Sequence, residues 1–186
     1  MHGEEEVATA TQVLAFWFEE LAPAQWWRKD PALDRLIAAR FGATLAAAKA
    51  AELAAWRGTA RGRLAEVIVL DQFSRNVYRD RAESFAADGM ALVLAQEAVR
   101  AGADRELAVN ERAFVYLPYM HSESARIHEE ALRLFDQPGL EHNLAFERRH
   151  HEIIRLFGRY PHRNAVLGRA STPEELEFLK QPGSAF

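Results

Sequence analysis

Cysteine is absent from the 186 residues. Disulfides, thiolate nucleophiles and Cys-ligated zinc or iron–sulfur centres are therefore excluded. Proline and glycine are sparse, at 7 and 10 residues, and no run alternates apolar and polar residues with period two. Long apolar stretches are missing as well, since none approaches the roughly 20 residues that span a bilayer. The opening MHGEEEVATATQ is acidic and lacks a basic region followed by an apolar one, so it does not read as a signal peptide. Nor is there a large excess of either charge. A formal net charge of −4 gives no electrostatic reason to expect nucleic acid or an anionic membrane as a partner.

What remains is ordinary for a globular chain: 49% hydrophobic and 27% charged residues, which argues against disorder. One domain over residues 1–186 is expected, because a core of this size already buries most of the surface. A cytoplasmic location is the default expectation, and a homodimer is left open.

Alanine, leucine, glutamate and arginine dominate, which favours helix throughout. Val13, Leu14, Trp17 and Phe18 are spaced for a helix over Val7 to Leu21 that Pro23 ends. Asp30 and Pro31 form an N-cap and first-turn pair that opens a helix through Leu33, Leu36, Ile37 and Phe41. The alanine-rich stretch from Leu45 to Trp56 reads as a further helix. Others are expected from about Arg63 to Tyr78, Ser84 to Arg100, Asn110 to Met120, Ser124 to Phe135 and Asn143 to Phe157, with Gly158 as a C-terminal cap. Thr172-Pro173-Glu174-Glu175 is a capping box for a short last helix. Helices joined by short turns pair antiparallel. The expected fold is all-α, an irregular tetratricopeptide-like array without a strict repeat.

Against this apolar background, three groups of polar residues stand out. In LAEVIVLDQFSRNVYR, Asp71 and Arg75 fall one turn apart on a face shared with Leu64 and with Val67 or Ile68. They are either a structural ion pair or, with Gln72, Asn76 and Arg79, part of an anion-binding pocket. In NERAFVYLPYMHSES, Pro118 must kink or end the helix and so presents His121, Ser122 and Glu123 at an element end. His121 is a candidate general base or a hydrogen-bonded core histidine. Glu111 and Arg112 add another pair. In ERRHHEIIRLFGRYPHRN, His150 sits on an apolar stripe, while Arg159, His162, Arg163 and Asn164 follow on a proline-braced turn. Guanidinium forks suit carboxylate or phosphate, and the same groups equally suit capping of a helix C-terminus.

Metal is not expected. His151-Glu152-Ile153-Ile154-Arg155 lacks the second histidine of a zincin helix, and the Glu147, His150 spacing of di-iron bundles occurs once where two are needed. There is also no Walker A motif, dinucleotide fingerprint or nucleophile elbow, so no cofactor is indicated.

Together LDQFSRNVYR, FAADGMAL, ERAFVYLPYMHSES and HHEIIRLFGRYPHRNAVLGRASTPEELEFL resemble the bacterial family catalogued as domain of unknown function 924. The likeness runs from Phe16 to Leu179 and implies an all-helical, tetratricopeptide-like fold without supplying a reaction. The family usually has proline where this chain has Ser74, and glycine where it has Asp80, so the departures concern a local turn. The polar set from Asp71 to Asn164 matches motif positions.

Three functions are consistent with these residues. The first is a module that binds a small anionic molecule or peptide group through Gln72, Arg75, Asn76, Arg112, Arg159, His162, Arg163 and Asn164. Another is a small-molecule hydrolase or isomerase with His121 or His150 as general base and Asp71 or Glu123 orienting it. The last is a protein-interaction module in which the polar residues form a closed, purely structural network and function lies in protein contacts elsewhere.

Overall fold

In the computed structural model, which describes residues 6–186, helix α1 (Ala10–Ala15) begins with a reciprocal cap. Thr9 Oγ1 accepts from the Gln12 amide and Gln12 Oε1 from the Thr9 amide. The helix widens into a π turn, Phe16–Glu20, that buries both Phe16 and Trp17. Residues 1–5, part of the acidic opening that speaks against a signal peptide, lie outside the described residues. No strand occurs among those described, and none of their helices is long and apolar enough to cross a membrane.

Asp30 caps α2 (Pro31–Lys49), its Oδ1 accepting from the amides of Ala32 and Leu33 at 2.9 and 3.2 Å. The alanine-rich segment expected to form its own helix instead continues α2, because Leu45, Ala47 and Ala48 bury in line with Leu33, Ile37 and Phe41. Only then does the chain turn, at Ala51 with φ +61°. Past the turn, Ala54–Gly58 is a 3-10 segment.

The central helix is built in three pieces: α3 (Ala60–Ile68), a π turn over Val69–Phe73, and α4 (Ser74–Val77). From Leu64 to Phe73 the whole circumference is buried, around the apolar run Val67–Leu70 and with Glu66, Asp71 and Gln72 buried beside it. A π turn carries one extra residue and is frequent where side chains must be re-aimed. Asp71 and Gln72 sit on it.

The local backbone accounts for both departures from the family pattern. Ser74 leaves it with φ −56°, a value proline adopts, its N–H has no close backbone acceptor, and its buried hydroxyl has no partner. Asp80 has φ +60°, where glycine is unstrained. Ser74→Pro should therefore fold with nearly the parent midpoint. Asp80→Gly should gain about 0.5–1 kcal/mol, measured by urea unfolding. Proline in the interior of α3 would cost about 3 kcal/mol or more.

Next come α5 (Asp88–Arg100), α6 (Val109–Met120), α7 (Ala125–Phe135) and α8 (Glu141–Phe157). Each of the last three packs on its predecessor across a short connection, which makes them antiparallel neighbours. Helix α3 packs against α1, α5 and α6. Pro118 lies inside α6, which runs on only to Met120, so His121 is its C-terminal cap residue. Gly158 closes α8 in the left-handed region, at φ +68°. Beyond it Tyr160, the 3-10 turn Pro161–Arg163 and α9 (Pro173–Phe178) fold back, and Tyr160 packs with Ile153 and Ile154 in a second small cluster. That return brings the turn at residues 159–164 to the end of α6.

Candidate functional site

Asp71 is the hub of the site. Its side chain, 1% exposed, points from the π turn towards the end of α6, where His121 Nδ1 lies 2.7 Å from Oδ1. Gln72 Nε2 donates to Oδ2 at 2.6 Å, and Arg75 Nη1 stands 3.2 Å from Oδ1. Arg75 also forks onto Asp88, at the first turn of α5, with bonds of 2.9 and 3.0 Å. Arg163 completes the group. Its guanidinium lies between the rings of Phe85 and Tyr160, 4.5 and 4.6 Å from their centroids, and 3.5 Å from Asp88.

Burial disfavours the charged form of Asp71, but Arg75 and His121 outweigh it and hold the carboxyl below the usual range. Burial is also the largest influence on His121. Together with the Arg75 charge it pushes the imidazole pKa down, against the pull of Asp71. At neutral pH the site thus holds a carboxylate facing a neutral imidazole. Because the carboxylate accepts, Nδ1 carries the hydrogen and Nε2 keeps its lone pair. Nε2 makes no hydrogen bond among the described residues.

His121 lines a solvent-open cleft of about 340 Å³ between α5 and the end of α6. Phe85, Leu92, Pro118 and Leu167 form its apolar walls. Asp88, Ser122, Glu123 and Arg163 are its other polar lining residues. Every carboxylate here is matched by a guanidinium: Asp71 and Asp88 by Arg75 and Arg163, and Glu123 by Arg169 at 2.7 and 2.9 Å. The cleft is balanced in charge.

Arg159 and Asn164 point elsewhere. Arg159 forks onto Glu175 of α9 at 2.7 and 2.8 Å, and Asn164 donates to Glu175 Oε2 at 3.1 Å. Arg169 ties Asn164 to Glu123 and to the Tyr160 carbonyl. Glu123 in turn accepts from the Tyr160 amide at 2.8 Å. This closed mesh pins the last helix to the body. The Arg159 fork, against the opposing effect of burial, lowers the Glu175 pKa to about 2. A carboxyl depressed on folding stabilises above its unfolded pKa near 4.5, and that contribution is lost as pH falls through about 2. Amide protection factors over 172–179, taken relative to the intrinsic exchange rate at each pH, should fall across that window, and Glu175→Gln should remove most of that pH dependence.

The family described as bacterial protein of unknown function (DUF924) matches residues 13–183. The chain belongs to that family. A solved structure from Agrobacterium tumefaciens, described as a protein of unknown function, ATU0120, is 37% identical with a TM-score of 0.88, over 92% of this chain and 96% of that one. A search of curated proteins returned no match.

The remaining candidate residues of this DUF924 protein lie outside the cleft. Asn76 donates to Asp34 on α2 at 2.8 Å, beside the Arg79 fork onto the same carboxylate. Arg112 braces the carbonyls of Asp104 and Leu107 and the side chain of Gln137. His150 is buried, its Nδ1 on the Phe146 carbonyl and its ring 3.8 Å from that of Phe186, and burial lowers its pKa to about 3. His162 meets Phe186 edge-on with Nδ1 unpaired, and burial lowers its pKa to about 4. Neither imidazole lines the cleft.

Several contributors escaped sequence reasoning. Asp88 reads as an ordinary acid in the first turn of a helix, which hides its part in holding two arginines. His128 had a signal: it shares a buried stripe with Ala131 and Phe135 on α7. Tyr160 and Arg169 gave none, and Glu175 read only as the capping-box residue of α9, its hold on Arg159 and Asn164 being set by the fold.

Proposed function

We propose that the cleft is the active site of a small-molecule enzyme in which His121 is the general base. The carrying observation is the Asp71–His121 contact: a buried carboxylate fixes the Nδ1–H tautomer and leaves Nε2 unbonded on an imidazole that lines the cleft. Asp71 orients the ring and stabilises the imidazolium formed on proton uptake. Arg163, a cation in the cleft lining, stands beside the negative charge that develops on substrate. Because the cleft is open to solvent, hydrolysis by a His121-activated water is the simplest reaction, and isomerisation by proton removal needs the same base. Balanced charge and apolar walls suit a substrate with an apolar body and at most one anionic group.

Binding without turnover is the second reading, favoured by the same Arg163 cation in the cleft lining. Both use the cleft, and Gly89 offers a way to close it. A Cβ at Gly89 would meet nothing within 4 Å, and the residue lines the cleft from the first turn of α5. Gly89→Trp should abolish hydrolysis of a panel of small esters, amides and lactones found active with the parent. Its stability should stay level or rise by about 0.5 kcal/mol, since glycine is a poor helix former. Turnover that survives this substitution places the chemistry elsewhere. Saturable binding of small carboxylates with no turnover supports the second reading.

A further inference from the structure

Three consecutive carbonyl oxygens at the end of α6 are each held by a side chain from outside that helix, two from the turn after α8 and one from α7. The Tyr160 hydroxyl donates to Met120 O at 2.5 Å, Arg163 Nη2 to His121 O at 3.0 Å, and His128 Nε2 to Ser122 O at 2.7 Å. Carbonyls at a helix end lack intrahelical donors, and water usually serves them. Here two of the donors, Tyr160 and His128, are wholly buried, and Arg163 is 5% exposed.

The His128 contact fixes more than one bond. A carbonyl only accepts, so Nε2 must carry a hydrogen, and Nδ1 then shares a single proton with Glu147 Oε1 at 2.6 Å. Glu147 on α8 is fully buried, its Oε2 has no partner, and burial pushes its carboxyl pKa up although His128 opposes the shift. A buried imidazole–carboxylate pair stabilises less than a well-packed apolar pair would. Its hydrogen bond outside the pair goes to Ser122 O, with the Tyr160 hydroxyl 3.2 Å from the same nitrogen. Backbone on both sides of the His121 residue is thereby fixed, one peptide unit each way.

We infer that Tyr160 and His128, with Glu147 setting the His128 tautomer, are positioning residues that fix residues 120–122 and so hold the His121 imidazole on Asp71 with Nε2 open to the cleft. The inference rests on His121 being the base. It extends the site through two further layers, from Asp71 and His121 to the three carbonyls and then to α7 and α8.

Long-range ¹H–¹⁵N spectra of protein labelled at histidine read the His121 tautomer without any substrate. The parent should show His121 neutral, with Nδ1 protonated and Nε2 bare. Tyr160→Phe removes one hydroxyl and keeps the ring over Arg163, while His128→Phe removes the imidazole. Each should move the His121 signals towards a mixture of tautomers in the folded protein. Glu147→Gln should keep the parent spectrum, because its amide donates to Nδ1 and leaves Nε2–H on Ser122 O. Variants that lose stability yet keep an unchanged His121 spectrum would show a merely structural role and overturn the inference. If His128→Phe does not fold, Tyr160→Phe decides. A parent His121 protonated on Nε2 overturns the base assignment itself, and is distinct from unchanged variants.

Discussion

Replacing Asp71 by alanine is expected to lower the unfolding free energy by about 3–5 kcal/mol, the range for removing one partner of a buried ion pair. Arg75 keeps its fork on Asp88, which offsets part of the loss. His121 Nδ1 and Gln72 Nε2, however, lose their acceptor inside the protein. At this chain length the drop corresponds to roughly 10 °C in midpoint temperature. Urea unfolding should show a lower midpoint with an unchanged slope, the signature of stability lost without a change in compactness. Asp71→Asn separates charge from geometry, because an oxygen at the Oδ1 position still serves both His121 and Arg75, and it should cost less than half as much. If alanine here cost no more than an exposed substitution, about 0.5 kcal/mol, the pair would not be the hub described above.

His121→Gln should lower the turnover number by about 10²–10⁴-fold, the usual contribution of a positioned general base, and leave the unfolding midpoint near that of the parent. The parent pH profile supplies an independent check. A base is active when unprotonated, so the rate rises with pH through the pKa of His121 and levels off above it. Burial and the Arg75 charge push that pKa below the ordinary imidazole value. The half-maximal point should thus fall below about 6.5. In Asp71→Asn the carboxylate that favours the charged imidazole is gone, so the rising limb should move to still lower pH. The plateau should drop as well, because the imidazolium loses its counter-charge. A limb above 6.5, or a rate indifferent to His121→Gln, would remove His121 from the chemistry.

The family tie and the fold neighbour carry no reaction with them, since both are described as of unknown function. The functional reading therefore stands on geometry. That geometry divides the polar residues into three sets that sequence spacing joins. Asp71, Arg75, His121 and Arg163 meet at the cleft with Asp88. Arg159, Asn164 and Glu123 interlock with Arg169 and Glu175 to dock α9. Asn76 and Arg79 join α4 to α2 through Asp34.

Local chemistry was legible because it acts over a few residues. The Asp30 cap, the Thr172 capping box, the Gly158 stop and the Asp71–Arg75 spacing were all visible in the chain, and each forms. The all-α class followed from composition and period for the same reason. What a single sequence could not show was rotation and return. The extra residue of the π turn at Val69–Phe73 re-aims Asp71 through hydrogen bonding that apolar periodicity does not report. The continuation of α2 past Leu45 was decided by what those alanines pack against. Whether an arginine binds a ligand or a carboxylate of its own chain depends on which partner the fold brings within hydrogen-bonding reach. For Arg159 that partner lies 16 residues away, and for Arg163 75 residues away. Pairing over such separations follows from packing of whole helices, a property of the assembled core and not of any local stretch.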